Sequence, residues 1–320
     1  MKSMRLNFIF LIFITILISC NNSTKAGKLK EPSTIEDLGE LLFFDSILSR
    51  DNQISCATCH KPQFAFADNT PVSFGVDSLK GIRNTPSAMN QSARNFQFWD
   101  GRNETLEEQA AGPIENPVEM DIPLSFAVEK LNKHAQYRAF FIKIFGHPAD
   151  KKSVTDAIAA FERTLETNNS AFDNYMNGTD TTKFSASAKR GREIFNVKGK
   201  CFDCHFGPDF TNDDFRSLGL FNGKDLNDSG RFIVTHDLKD IGRFKVPGLR
   251  NIAITAPYMH NGMHKTLMDV INYYDTPDKF IKNSINRDSL LAKPLGLTEQ
   301  DKKDLEAFLL SLTDARFLKN

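Results

Sequence analysis

Two pentapeptides carry the chemistry of this sequence: Cys56-Ala57-Thr58-Cys59-His60 and Cys201-Phe202-Asp203-Cys204-His205. Each sets two thiols three residues apart and follows them at once with an imidazole. That pattern suits covalent attachment of haem c, in which the thiols add across two vinyl groups and the adjacent histidine ligates iron. A thioredoxin-like redox pair, a four-cysteine zinc site or two disulfides would draw on the same cysteines. A redox pair, however, needs neither the histidine nor a second copy. A zinc site sits awkwardly with two pairs that each end in Cys-His. Of five cysteines only Cys20 lies outside the motifs. The reading is therefore two haem c groups, one on Cys56, Cys59 and His60, the other on Cys201, Cys204 and His205.

The start of the chain has the pattern of an export signal. Lys2 and Arg5 precede an apolar run from Leu6 to Ile18, broken by Asn7 and Thr15. The run is shorter than the ~20 residues of a spanning helix, and Leu17-Ile18-Ser19-Cys20 looks like a lipoprotein signal-peptidase site. Residues 1–20 are read as a lipoprotein signal peptide, Cys20 as the lipid anchor and residues 21–32 as a flexible tether. This expectation puts the protein on a bacterial membrane, facing the periplasm. Forty basic and forty acidic residues cancel, which leaves no electrostatic case for nucleic acid. Phenylalanine is overused, with 28 against one Trp and five Tyr. Cores packed around large flat cofactors would use it so, as would an ordinary aromatic core.

The elements that must position these motifs read as mainly α. The motifs lie 145 residues apart, which suggests two cytochrome c-like domains in tandem, each with one covalent haem c. Gly81-Ile82-Arg83-Asn84 and Gly248-Leu249-Arg250-Asn251 look like a second echo of the repeat. Capping residues and apolar positions at helical spacing predict helices over Thr34–Leu48, around Thr105–Ala111, and over Leu124–Leu131, Val154–Leu165, Ala186–Phe195 and Thr298–Leu312. A gap in that pattern at 166–182 divides residues 33–165 from residues 166–320.

Further motifs carry a resemblance. Phe98-Trp99-Asp100-Gly101-Arg102, Leu106-Glu107-Glu108-Gln109 and Asn116-Pro117-Val118-Glu119-Met120 look like those of the bacterial di-haem cytochrome c peroxidases and their MauG relatives. In the second half Phe244-Lys245-Val246-Pro247 and Thr255-Ala256-Pro257-Tyr258-Met259-His260-Asn261-Gly262 agree. The resemblance implies a peroxidatic haem in residues 33–165 and an electron-transfer haem in 166–320. It matches Glu119 to the distal acid/base, Gln109 to the pocket glutamine and Trp99 to the tryptophan between the haems. Composition alone would make Glu119 a surface carboxylate and Gln109 a helix-surface amide. One calcium is also implied, on Asn84, Thr255 and Pro257, all oxygen donors.

Two departures matter. Many members carry a histidine sixteen residues beyond the first motif's histidine, capping the resting iron; here that place is Val76, which cannot ligate. Others ligate the second iron with a methionine fourteen residues after the TAPYxH histidine. Here that histidine is His260 and the place is Tyr274, as in MauG, with Met259, Met263 and Met268 as nearby alternatives. A phenolate stabilises oxidised iron where a thioether does the opposite. The function implied is reduction of hydrogen peroxide to water with electrons from a small donor protein, a cytochrome c or a cupredoxin. The alternative is a MauG-like enzyme that oxidises a protein or organic substrate through high-valent iron. A homodimer is an assembly open to either. His134, His147 and His236 match no motif and read as surface residues, and His264 is ambiguous.

Overall fold

Two helix crossings, each made at a glycine, organise the chain in the computed structural model, which describes residues 29–318. The signal peptide, Cys20 and most of the tether lie outside the described residues. Among those described, no helix is long and apolar enough to cross a membrane. Residues Pro32–Asn320 form one compact unit. It is mainly helical, with one two-stranded antiparallel sheet pairing Phe215 with Lys245 and Arg216 with Phe244 among the described residues.

The first crossing joins the Ile35–Phe44 helix to the Lys151–Arg163 helix. Thr34 opens the former with a capping box: its hydroxyl accepts from Asp37 N at 3.2 Å, and the Asp37 carboxylate accepts from Thr34 N. At Gly39 the backbones touch. A Cβ there would lie 1.8 Å from the Ala157 carbonyl oxygen and 2.9 Å from Phe161 Cβ. The second crossing repeats this between Ala186–Asn196 and Glu299–Leu310. A Cβ on Gly191 would lie 1.9 Å from the Asp304 oxygen and 2.9 Å from Phe308 Cβ. Only glycine permits such approach. Phe43, Phe66 and Phe161 pack edge to face or tilted beside the first crossing, and Phe172, Phe184, Phe195, Phe210 and Phe308 beside the second.

The expected helices are present with shifted ends. Thr34–Leu48 stops at Phe44, because Asp45 turns extended and its carboxylate caps a 3₁₀ turn over Ser46–Leu48. Two further helices, Ala135–Phe145 and Ala171–Asn177, were not expected. The second falls in the polar stretch read as a break. Ser170 and Asp173 start it with a reciprocal cap, and it sends Phe172 and Tyr175 into the core of the second half.

The Gly-x-Arg-Asn echo does not mark equivalent positions. Arg83 pairs with Asp228 and Asp100, while Arg250 pairs with Asp173 and Asp209. The true counterpart of Asn251 is Asn90. Asn90 N donates to the Leu165 carbonyl at 2.8 Å and Asn251 N to the Leu312 carbonyl at 3.0 Å, just past the two closing helices. The two amides meet at Thr167, whose hydroxyl donates to Asn90 Oδ1 at 2.7 Å and accepts from Asn251 Nδ2 at 3.0 Å.

Candidate active site

The two Cys-His motifs adopt matching local geometry. His60 N donates to the Cys56 carbonyl and His205 N to the Cys201 carbonyl, both at 2.8 Å, which curls each motif into a single turn. His60 Nδ1 donates to the Phe66 carbonyl at 2.9 Å, and His205 Nδ1 to the Phe210 carbonyl at 2.9 Å. That bond fixes the tautomer and leaves the Nε2 lone pair available to a metal. Burial holds both imidazoles below their ordinary pKa, so both are neutral. The four thiols are unbridged, and burial pushes each of them up. Among the described residues no group of His, Cys, Asp or Glu forms a metal cluster, so the cysteines do not converge on a zinc site.

Cys201, Cys204 and His205 open onto a large cavity whose lining is mostly apolar, with Leu220, Val246, Leu305 and Leu309 in its wall. Arg216 and Lys245 place cations in that lining. A flat apolar ring bearing carboxylate side chains fits such a donor set, and the residues suit haem c.

Tyr274 lines the same cavity, one residue before the end of the Leu267–Asp275 helix. Its neighbour Tyr273 faces away, donating its hydroxyl to the Leu218 carbonyl at 2.6 Å from full burial. Burial pushes the Tyr274 phenol far up, so it gives up its proton only against a cation. Of the alternative ligands, Met259 also lines the cavity but packs on Leu220, Tyr273 and Ile281, and Met263 is exposed. His264 is buried against Tyr273 and Phe280 with Nε2 unpartnered, apart from the cavity lining. His147 and His236 are exposed, whereas His134 is half-buried and caps the Ala135–Phe145 helix, its Nδ1 accepting from Tyr137 N at 3.5 Å.

Glu119 stands on a turn that the Asn-Pro-Val-Glu sequence builds. Asn116 closes the Leu106–Glu115 helix, its Oδ1 accepts from Val118 N at 3.2 Å, and its Nδ2 donates to Glu119 Oε1 at 2.6 Å. Burial raises the Glu119 carboxyl above its ordinary range, against the opposing pull of Asn116 and Arg102. The charge is near enough to Cys56 and Cys59 to push both thiols up. Val76 N donates to the Glu119 carbonyl at 2.8 Å. Gly75 allows that approach: a Cβ there would lie 2.3 Å from the Val118 oxygen. The Val76 side chain is 1% exposed. Gln109 is half-buried on the Leu106–Glu115 helix.

Trp99 joins the halves. Its indole N–H donates to the Asn84 carbonyl at 2.8 Å, and its own carbonyl accepts from Lys245 N at 2.7 Å. Asn84 N in turn donates to the His260 carbonyl at 2.6 Å. Asn84, Thr255 and Pro257 all line the cavity, and Asn84 Nδ2 donates to the Thr70 and Pro71 carbonyls at 3.2 Å, which leaves Oδ1 as its donor for a cation.

Sequence reasoning missed the residues that hold these groups. Asn116 orients Glu119, and its place three residues before a carboxylate after a helix end was a readable signal. Phe244 stacks on His260 at 3.7 Å and 12°, and burial drops that imidazole to about 4. The carbonyls of Phe66 and Phe210 leave no trace in sequence, because any residue has one.

Residues 33–181 match the family described as di-haem cytochrome c peroxidase. The methylamine utilization protein MauG of Methylophilus methylotrophus is 37% identical over 289 residues, 89% of this chain and 84% of that protein. This chain belongs to the di-haem cytochrome c peroxidase family. The cytochrome c551 peroxidase of Pseudomonas aeruginosa is 37% identical over 285 residues, covering 87% of this chain and 78% of its own. A solved MauG-like protein associated with microbial copper homeostasis matches with a TM-score of 0.80 at 30% identity, covering 89% of this chain and 91% of that one. Membership in the family makes the protein an oxidoreductase that acts on peroxide, and implies two haem c groups.

Proposed function

We propose that the chain reduces hydrogen peroxide to water at a first haem, held by Cys56, Cys59 and His60 in residues 33–165. In this reading a second haem in residues 166–320 receives electrons from a small redox protein and passes them by way of Trp99. The observation that carries it is Glu119, a half-buried carboxyl whose pKa is raised, oriented by Asn116 near the first motif. Haem bound through Cys56, Cys59 and His60 would supply the electrons that O–O cleavage of peroxide needs. Glu119 takes the proton from the inner oxygen and delivers it to the outer one, so two electrons and two protons yield two waters. Asn116 keeps the carboxylate aimed, and Val76, which has no donor atom in its side chain, would offer no ligand to a haem iron held there.

The ferric protein as isolated is expected to show a high-spin signal by EPR and to turn over peroxide from first mixing. A wholly low-spin spectrum, or a lag removed only by prior reduction, overturns the uncapped site.

A second reading, oxidation of a protein or organic substrate with peroxide, is favoured by Tyr274 in the cavity at Cys201, Cys204 and His205. A phenolate on that iron lowers its potential and makes it a poor acceptor from a high-potential donor. Tyr274→Phe is expected to turn the second haem high-spin, or to hand the position to Met259 or water. A variant with the wild-type spectrum and potential reduces Tyr274 to packing.

Calcium is proposed on Asn84 Oδ1 and the Thr255 and Pro257 carbonyls. Exhaustive chelation is expected to slow turnover by loosening the segments that carry Trp99's acceptor. Unchanged turnover, with elemental analysis showing calcium gone, removes the ion from the mechanism.

A further inference from the structure

At two positions matched by the helix crossings, the second half has two leucines and the first half one apolar residue and one carboxyl. In the second half Leu305 and Leu309, one turn apart on the Glu299–Leu310 helix, line the cavity. The matched crossings, Gly39 on Ala157 and Phe161, Gly191 on Asp304 and Phe308, put Ile158 and Glu162 at the same two places on Lys151–Arg163. Ile158 conserves the apolar character. Glu162 sets a carboxyl where the second site has leucine.

Glu162 is 7% exposed, and its charge acts on Cys56, second only to burial. Cys56 is a haem-attachment residue, not an iron ligand. Among the described residues no hydrogen bond reaches the carboxyl. The charged groups acting on it are Arg163 and Glu107, which are bound to each other at 2.6 and 3.0 Å. The Ile35–Phe44 helix brings Leu38, Leu42 and Phe43 to the packed side, and Leu124–Lys133 brings Leu124, Ala127 and Leu131. An ionised carboxylate so placed keeps little of its water and gains no hydrogen-bond partner among the described residues. Burial pushes Glu162 up to about 8.

We propose that Glu162 is the redox-linked proton-binding group of the first haem, an inference that rests on haem attachment at Cys56 and Cys59. When the iron accepts one electron from the donor, the Glu162 carboxylate takes one proton from solvent and becomes the acid. On oxidation the proton leaves again, so the net charge of the buried site is conserved. A carboxylate in a low-dielectric wall disfavours the added electron, and its acid form does not. The potential is therefore flat where Glu162 is protonated in both states. It falls with rising pH between the oxidised-state and reduced-state pKa values. There the oxidised-to-reduced balance shifts tenfold per pH unit, about 59 mV for one electron. Glu119 acts on the same motif, as does Asp68, which is paired with Lys61 at 2.6 Å. Both must be separated from Glu162.

The test is a spectroelectrochemical titration of the holoprotein from about pH 6 to about pH 9. The first haem's potential is expected to fall through this range in the wild type and in Glu119→Gln and Asp68→Asn, and to be flat in Glu162→Gln. Glu162→Leu, the residue of the second site, serves where the Gln variant accumulates poorly. Infrared difference spectra on reduction should show the C=O stretch of a protonated carboxyl, lost in Glu162→Gln. A flat wild-type potential, a slope kept in the Glu162 variants, or no carboxyl band overturns the proposal, and the wild-type measurements decide alone if neither variant folds. Haem content on the same samples separates the two claims. A chain lacking the first haem overturns the proposed function, whereas two haems with an unchanged slope overturn only the role of Glu162.

Discussion

Glu119→Gln is expected to lower peroxide turnover by ~100- to 10,000-fold while both haems stay attached. The amide keeps the shape of the side chain and its contact with Asn116, which holds Glu119 Oε1 at 2.6 Å. It cannot take a proton from one peroxide oxygen and return it to the other. The carboxyl can, and burial brings its affinity for protons up from the ordinary carboxylate range toward neutral pH, where such transfer is most efficient. Spectra of both haems should be unchanged, since neither His60 nor His205 touches the substituted group. Steady-state kinetics decide the matter. A variant that keeps more than about a tenth of wild-type activity means that another group carries the proton. Asn116→Ala should fall between the two, because the carboxyl remains but loses its aim.

The other large effect is on stability. Gly39→Val should cost more than about 4 kcal/mol, beyond the range of most single substitutions. The Cβ would meet the Ala157 carbonyl oxygen at 1.8 Å, and that oxygen belongs to a helix backbone that cannot turn aside. Relief requires the Ile35–Phe44 and Lys151–Arg163 helices to separate, which strips Phe43 and Phe161 of their contact. Gly146→Ala is the control. Nothing lies within 4 Å of its Cβ, although φ is +79°, so the loss should be only the ~1–2 kcal/mol of left-handed backbone. Denaturant unfolding of the holoproteins measures both. Equal stability of the two variants would mean that the crossing relaxes at little cost.

The groups that do chemistry were legible in the sequence because they are side chains at fixed spacing. Two Cys-x-x-Cys-His runs imply two haems whatever fold presents them, and the run Asn116 to Glu119 builds its own turn from local hydrogen bonds. Capped helices such as Ile35–Phe44 were legible for the same reason, since Thr34 and Asp37 are three residues apart. What depended on distant parts of the chain was not. The Gly-x-Arg-Asn echo misled, because ion pairing depends on which carboxylates the fold delivers: Asp228 and Asp100 to Arg83, Asp173 and Asp209 to Arg250. The pair that does correspond, Asn90 and Asn251, is defined by carbonyls past two helices and by Thr167 between them.

Likewise, spacing from His260 pointed to Tyr274, but nothing local in the sequence sets it apart from its neighbour Tyr273. Adjacent residues on a helix point about 100° apart, and only the packing of Leu267–Asp275 decides which one faces the cavity. Glu162 is the extreme case. In sequence it is one more charged residue near a helix end, beside Arg163. Its character comes from the crossing at Gly39, which closes that face of the helix against apolar neighbours and removes most of the water a carboxylate needs. Sequence determined which groups this protein can use, and tertiary structure decided which of them lose solvent, because burial is a property of what packs around a residue rather than of the residue itself.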